Sequence, residues 1–249
     1  MTDLVLSAPA DREPPVGPDA PLLDVMATMR AMRRLKPDPV PDEVLVKIVE
    51  AATWAPSGSN AQGFQFVVVT DRGQMARLAE VWRRCVDDYL ATAGISTPAA
   101  TMGEEGARKL RSALLHQRDH FAETPAVVVA CYGYGRGPAS DPRALVNMVR
   151  ALGPRQALRT ARMAPRYLAL AEASSIYPSV QNLLLAARAH GLGANITIWH
   201  LPYEADVKRI LAIPRSVHTY AIVPLGYPRG RFGPVRRRPA ESVIHRDRW

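Results

Sequence analysis

The sequence predicts an α+β fold, and three observations carry that prediction. Four short runs rich in β-branched and aromatic residues, at 64–70, 126–132, 195–199 and 219–225, stand far apart in the chain. Segments with helical periodicity fill the gaps between them. The strand runs are continuously apolar instead of alternating, which implies a sheet covered on both faces.

Taken in order, residues 1–21 hold five prolines, mild net acidity and few large apolar residues, so a disordered or loosely draped arm is expected. Asp24 then stands where an N-cap would. Behind it Val25, Met26, Met29 and Met32 keep a helical stripe running into Arg30, Arg33 and Arg34, until Pro37, Pro39 and Pro41 stop it. A second helix places Val44, Leu45, Ile48, Val49 and Ala52 on one face, with Asp42 and Glu43 in its first turn, and ends at Ala55-Pro56. Helices over 74–91 and 103–121 separate the first two strands; helices over 141–150, 156–171 and 179–190 precede the third, and 204–211 the fourth. Gly191 suits the C′ position after 179–190. One domain over 22–249 is the expected organisation.

Composition narrows the function. Of 249 residues, 47% are hydrophobic and 22% charged, the balance of a chain that buries a core. The longest apolar stretches, such as 126–131 and 183–187, fall far short of the roughly 18 residues of a membrane helix, so no membrane partner is expected. Without a secretory pattern at the N-terminus, and with Cys85 and Cys131 as the two cysteines, a cytoplasmic protein lacking a disulfide framework or cysteine metal site is expected. The net charge of +9 raises nucleic acid as a partner, but its distribution argues otherwise. Four of 32 basic residues are lysines, and the seven arginines of 229–249 face only Glu241 and Asp247. Arginine forks suit a bound phosphate or carboxylate equally well, and no recognition-helix or zinc-finger pattern is present.

Several motifs have ordinary readings. The glycines at 133, 135 and 137 follow a strand, but Pro138 and Pro142 interrupt the helix that a dinucleotide loop would open, so a connecting loop is favoured. His116, His120 and Glu123 have the spacing of a metal grip yet read as a solvated helix face, and no metal is expected. His200 and His218 show no acid or nucleophile partner in the sequence, so a hydrolytic triad has little support. The turn from Ala55 to Phe64, rich in small polar residues, joins a helix to a strand and exposes backbone amides; by itself it reads as a capping turn.

At these residues the chain resembles a known family. Arg30-Ala31-Met32-Arg33-Arg34-Leu35-Lys36-Pro37 with Pro39-Val40-Pro41, then Ala51-Ala52-Thr53-Trp54-Ala55-Pro56-Ser57-Gly58-Ser59-Asn60-Ala61-Gln62, is similar to the N-terminal signature of the FMN-dependent nitroreductases. Gln181 to Ala187, Gly191 to Ala194, Gly226-Tyr227-Pro228 and Arg236 to Pro239 resemble that family's later motifs, in the same order. The likeness covers about 24–72 and 174–249. Met29, Ala31, Leu35 and Gly63-Phe64 depart from the usual arginine, serine, phenylalanine and Pro-Trp.

The resemblance implies a nitroreductase-like fold with a central, mostly antiparallel sheet flanked by helices, in an intertwined homodimer whose C-terminal segments are exchanged. It implies FMN as bound cofactor and NAD(P)H as reductant. A nitroaromatic, quinone or similar small molecule would accept the electrons in a ping-pong reaction. By the same resemblance Arg30, Ala31, Arg33, Arg236 and Arg237 surround the FMN phosphate and ribityl chain, and Pro56, Ser57, Asn60 and Gln62 lie along the isoalloxazine. Ile196, Thr197 and Ile198 pass the flavin edge, where a backbone amide or the Thr197 hydroxyl would meet N5. No protein acid or base is implied as catalytic. The segment 133–172 matches the lid-like insertions of the family and carries an arginine stripe at 155, 159, 162 and 166. Alternatives are a reductive dehalogenase or a flavin-destroying synthase of the same family, a flavin-binding scaffold without turnover, and a basic nucleic-acid-binding protein.

Overall fold

The computed structural model describes residues 16–17, 19–92, 96–133, 144–235 and 237–249. The expected N-terminal arm, the glycine-rich loop beyond Gly133 and Arg236 lie wholly or largely outside these. Four strands, β1 (Phe64–Val69), β2 (Ala126–Tyr132), β3 (Gly193–Ala194) and β4 (His218–Gly226), form one antiparallel sheet in the order β1-β2-β4-β3. Every residue of β2 is buried, as befits a strand paired on both edges and covered on both faces. Phe64, Tyr132 and His218 line up across one end of the sheet, and Ala126 and Leu225 pair at the other.

The register shifts once. Ala130 faces Ala221 while Cys131 faces Thr219, so Tyr220 is an extra residue bulged into β4. Because side chains alternate along a strand, the bulge changes which face the first residues of β4 present. Ala221, Val223 and Leu225 point into one core, and Tyr220 and His218 reach that same side.

Two helical layers sandwich the sheet. Helices α2 (Asp42–Thr53) and α5 (Ala144–Ala189) bury Ile48, Ala52, Ile176, Val180 and Leu183 against Val128, Ala130 and Val223. On the opposite face, α3 (Arg72–Ala91), α4 (Ser96–Asp119) and α6 (Glu204–Leu211) pack Met75, Trp82, Leu114 and Val207 against Val127, Val129 and Ile222. Helix α3 begins two residues before the sequence expectation because Asp71 caps it, accepting from the Gln74 amide at 2.8 Å. The three helices expected over 141–190 belong to one run: α5 breaks at Gly153, whose φ of 73° no β-carbon tolerates well, and Pro154 restarts it. Its end is as expected: Gly191 has φ 75°, and the Leu192 amide closes back on the Ala187 carbonyl at 2.8 Å.

Two expectations are corrected. The first helix, α1, spans only Leu22–Thr28, so Asp24 lies inside its first turn and Arg30, Arg33 and Arg34 follow it in extended chain. Tertiary pairing outweighs the local helical stripe there. Ala31 bridges Ala194, and the amides of Met32, Lys36 and Arg229 bond the carbonyls of Ala194, Tyr227 and Arg34. No strand forms over 195–199: the short β3 ends at Ala194, and beyond it a single bridge joins Thr197 to Ile222. The C-terminal segment after β4 therefore runs back along 27–36 of its own chain as far as Val235, whose amide bonds the Ala27 carbonyl at 2.8 Å.

Candidate functional site

The extended segment after α1 delivers Arg33 into a cavity of about 240 Å³ walled by Asn195, Ile196, Thr197, Ile198 and Trp199, over Trp82 and Leu114. Tyr89 stacks on Trp199 at 3.9 Å and Trp199 on Trp82 at 5.9 Å, so the wall is rigid and aromatic. Gln117 of α4 donates to Asn195 at 2.9 Å, both being buried, and this holds the start of the wall. Thr197 is held in place: its backbone pairs with Ile222, and its hydroxyl accepts from the Trp199 amide at 3.3 Å. The amides of Ile196 and Ile198 have no hydrogen-bond partner among the described residues, and both side chains are exposed. Burial pushes the Arg33 guanidinium below its ordinary value, with the Tyr89 phenol opposing, and no carboxylate pairs with it among the described residues. A half-buried cation facing a cavity without a counter-charge fits an electron-rich or anionic ligand.

Arg30 meets the C-terminal tail at Gly233. Arg30 Nη1 would lie 3.8 Å from a β-carbon at Gly233, three residues before the cluster Arg236 to Arg238. Arg188 pins that tail from below: it is 1% exposed, donates to Thr28 Oγ1 at 3.0 Å, and sits 4.1 Å over the Phe232 ring. Burial lowers its basicity, with Asp24 opposing. Arg237 is exposed, as are Arg30 and Ala31.

The turn containing Pro56, Ser57, Asn60 and Gln62 is tight and strained. Ser59, Asn60 and Gln62 all have positive φ, at 54°, 52° and 48°, in a stretch of four residues. Ser57 Oγ accepts from the Gln62 amide at 2.9 Å, Gln62 donates to Asn60 at 3.2 Å, and Ser175 of α5 receives the Gly58 amide at 3.1 Å. Gly63 is obligatory for another reason: a β-carbon there would stand 2.7 Å from the buried Tyr132 ring.

Within one chain this turn and the Arg33 cavity do not meet. The turn feeds β1 at one edge of the sheet, whereas the 29–33 segment lies beyond β3 at the other, about four strand spacings or 19 Å away. Helix α5 gives the same measure. Ser175 bonds the turn and Arg188 bonds the end of α1, 13 residues or about 20 Å along the helix. That exceeds the ring system of a flavin.

A sheet sandwiched in this way, with its arginine segment and strained turn, has relatives: the family model described as the Nitroreductase family matches residues 26–227. The chain belongs to the nitroreductase family. Over 237 residues it is 30% identical to an NADH dehydrogenase of Thermus thermophilus, covering 90% of this chain and 96% of that one. A 57-residue stretch is 37% identical to iodotyrosine deiodinase of Danio rerio, 23% of this chain and 19% of that one. Among solved structures, the NADPH:FMN oxidoreductase of Vibrio harveyi complexed with NAD+ superposes with a TM-score of 0.61 at 20% identity, covering 92% of this chain and 77% of the other. Family membership carries with it the sequence expectation of an FMN-dependent NAD(P)H oxidoreductase of α+β architecture.

Other residues of this nitroreductase-family chain take structural roles. His200 is fully buried and bonds Thr219 at 3.0 Å, and burial pushes it down to about 4. His120 pairs with Glu123 at 2.7 Å, and His116 is held below its ordinary value by burial and then by Arg34, His120 and Arg229. Among the described residues no group of three metal-ligating side chains occurs. Cys85 and Cys131 are buried free thiols, each pushed up to about 12 by burial. Arg155, Arg159, Arg162 and Arg166 are all exposed on α5, and from Ala144 to Ala171 that helix carries no acidic residue. His218 departs from the sequence reading: its Nδ1 lies 2.8 Å from Glu172 Oε2, a partner 46 residues away that no local spacing reveals.

Proposed function

We propose that two copies of the chain build each FMN site. One contributes Arg30, Arg33, Arg237 and the 196–198 wall, and the other contributes the Ser57–Gln62 turn. The observation that carries this reading is the separation of about 20 Å between the two residue sets in one chain, joined with a half-buried Arg33 that lacks a counter-charge. FMN, when bound, would accept hydride from NAD(P)H and return it to an oxidised acceptor at the same face, a ping-pong cycle with a nitroaromatic or quinone as acceptor.

The chain's own residues have separable tasks. The Arg30 and Arg237 forks hold the phosphate, since a dianion needs several charge-assisted donors. Arg33 neutralises negative charge on the pyrimidine side of the ring. The unpartnered amides of Ile196 and Ile198 supply donors at the flavin edge, and Thr197, whose backbone pairs with Ile222 and whose hydroxyl accepts from the Trp199 amide, fixes the wall and keeps an O–H to donate. Residues 238–249, exposed throughout, are the part of the tail that would cross to the partner. The reading includes one domain over 22–249 with 133–172 reaching over the flavin, and a cytoplasmic location. A reductive dehalogenase is the second reading, favoured by the local likeness to iodotyrosine deiodinase.

Titrating the protein with FMN, then bleaching it anaerobically with NADH or NADPH, tests the reading. The Arg30→Ala/Arg237→Ala pair should bind FMN at least about 100-fold more weakly, since each charged hydrogen bond contributes about 1.5–3 kcal/mol. Failure of the wild-type chain to bind flavin, or unchanged affinity in the pair, would refute it.

A further inference from the structure

We propose that His218, oriented by Glu172 and Tyr220, is the hydrogen-bonding post for the oxygen of a phenolic or quinoid ring. This rests on the acceptor class in the function proposed above, and it assigns that class a residue. The first observation is the bulge at Tyr220, which puts His218 and Tyr220 on the α5 side of β4 together with Ala221. The second is what they meet there. The Glu172 side chain is 10% exposed, accepts from Tyr220 Oη at 2.5 Å and from His218 Nδ1 at 2.8 Å, and has no arginine or lysine partner among the described residues.

A carboxylate carries no proton, so Nδ1 must be the donor, and the tautomer of the ring is thereby set. The neutral imidazole then presents a bare lone pair at Nε2, which has no hydrogen-bond partner among the described residues. The His218 side chain is 56% exposed. An oriented imidazole of this kind accepts an O–H from a phenol; carrying a second proton, it donates to a carbonyl oxygen. Tyr177 and Tyr220 pack edge to face at 6.0 Å beside it, an aromatic surface suited to a flat ring, and the Tyr177 hydroxyl secures the Tyr220 carbonyl of the bulge at 3.3 Å.

Position links this post to the site. His218 ends the row Phe64, Tyr132, His218 and so stands about two strand spacings, or 10 Å, from the start of β1 where the strained turn enters. The Gly133 amide bonds the Gly63 carbonyl at 2.9 Å, and Ser175, one helical turn beyond Glu172, bonds the turn itself. Such a distance suits a molecule lying against the flavin more than the flavin itself. Reduction of a quinone to a hydroquinone takes two electrons and two protons. NAD(P)H provides both electrons and one proton as hydride. The other proton leaves Nε2 of the imidazolium as the N–H bond breaks and the O–H bond forms, while Nδ1 keeps its bond to Glu172 and solvent returns a proton to the exposed ring.

The test uses two probes of one shape, 4-cyanophenol and benzonitrile, titrated into the flavin-loaded protein, with affinity read from the probes' own NMR resonances in wild type and variants and the contact itself from the His218 imidazole in the wild type. The phenol should bind about 10-fold tighter or more, and that preference should fall to about twofold in His218→Gln. Glu172→Gln, which keeps the volume and one acceptor oxygen, should lose part of it. Oxidation of the reduced protein by benzoquinone should slow about 10-fold in His218→Gln, with reduction by NAD(P)H unchanged. Equal affinity for the two probes, or a phenol preference that survives in His218→Gln, would overturn the inference. A protein that takes up no FMN would instead overturn the proposed function, and the titration, read on His218 itself, would still decide this one.

Discussion

Acid should loosen the cavity wall through one residue. His200 directly follows the wall, is fully buried, bonds Thr219 through Nε2, and has no partner for Nδ1 among the described residues. Burial pushes it from 6.5 down to about 4, with Glu204 opposing. Between those values the unfolded chain holds a proton on this imidazole and the folded chain does not. Unfolding therefore takes up a proton, and stability falls as the pH falls through this window. The loss relative to pH 7 is about 2 kcal/mol at pH 5 and approaches about 3 kcal/mol below pH 4. Replacing His200 by Gln removes the titration while keeping a polar side chain. Urea unfolding of wild type and His200→Gln from pH 7 to pH 5 should show the gap between them narrowing by about 2 kcal/mol, and His116, present in both, cancels. Because His200 directly follows Trp199 in the chain and anchors it to Thr219 of β4, flavin retention should weaken over the same range in the wild type alone. A gap that stays constant with pH would refute the argument from burial.

Gly63→Ala should destabilise by about 1–3 kcal/mol in thermal or urea unfolding, because its β-carbon would sit 2.7 Å from the Tyr132 ring. Truncation after Val235 keeps the pairing of the tail with 27–36 of its own chain but removes the exposed remainder; light scattering should report a folded monomer that loses FMN. A truncated dimer that retains flavin would contradict the exchanged tail. Arg159→Ala/Arg162→Ala should reduce any preference for NADPH over NADH at low salt, and the wild-type preference should shrink as ionic strength rises, because exposed charges are screened within about 10 Å at 0.1 M salt. Steady-state kinetics with both nucleotides at two salt concentrations checks it.

Much of the fold was legible in the chain because the physics there is local. Strands β1, β2 and β4 follow from runs of β-branched residues, Gly191 from the need for a left-handed residue at a helix end, and α6 from its periodicity, all at or within a residue or two of their final bounds. The arginine segment and the Ser57–Gln62 turn were recognisable by resemblance alone, since neither an arginine nor a small polar turn identifies its ligand. Where local pattern competed with long-range pairing, it lost. Met29 and Met32 continue a helical stripe, yet the chain from Met29 onward is extended because Ala194 and the returning tail offer its backbone partners about 160–200 residues away.

By itself, then, the sequence determined the class of fold, the buried faces of the sheet and the family, since each depends on residues whose neighbours are close in the chain or whose order is characteristic. The tertiary structure alone decided which of those residues meet. It separated Ser57 from Arg33 by the width of the sheet and joined Arg30 to the tail through Arg188 and Phe232. It also gave His218 a carboxylate from a helix 46 residues earlier, through a one-residue bulge. The reason is that hydrogen-bond partners and charge partners are selected by distance in space, and a shift of one residue in strand register, invisible in composition or periodicity, turns a side chain from one face of a sheet to the other.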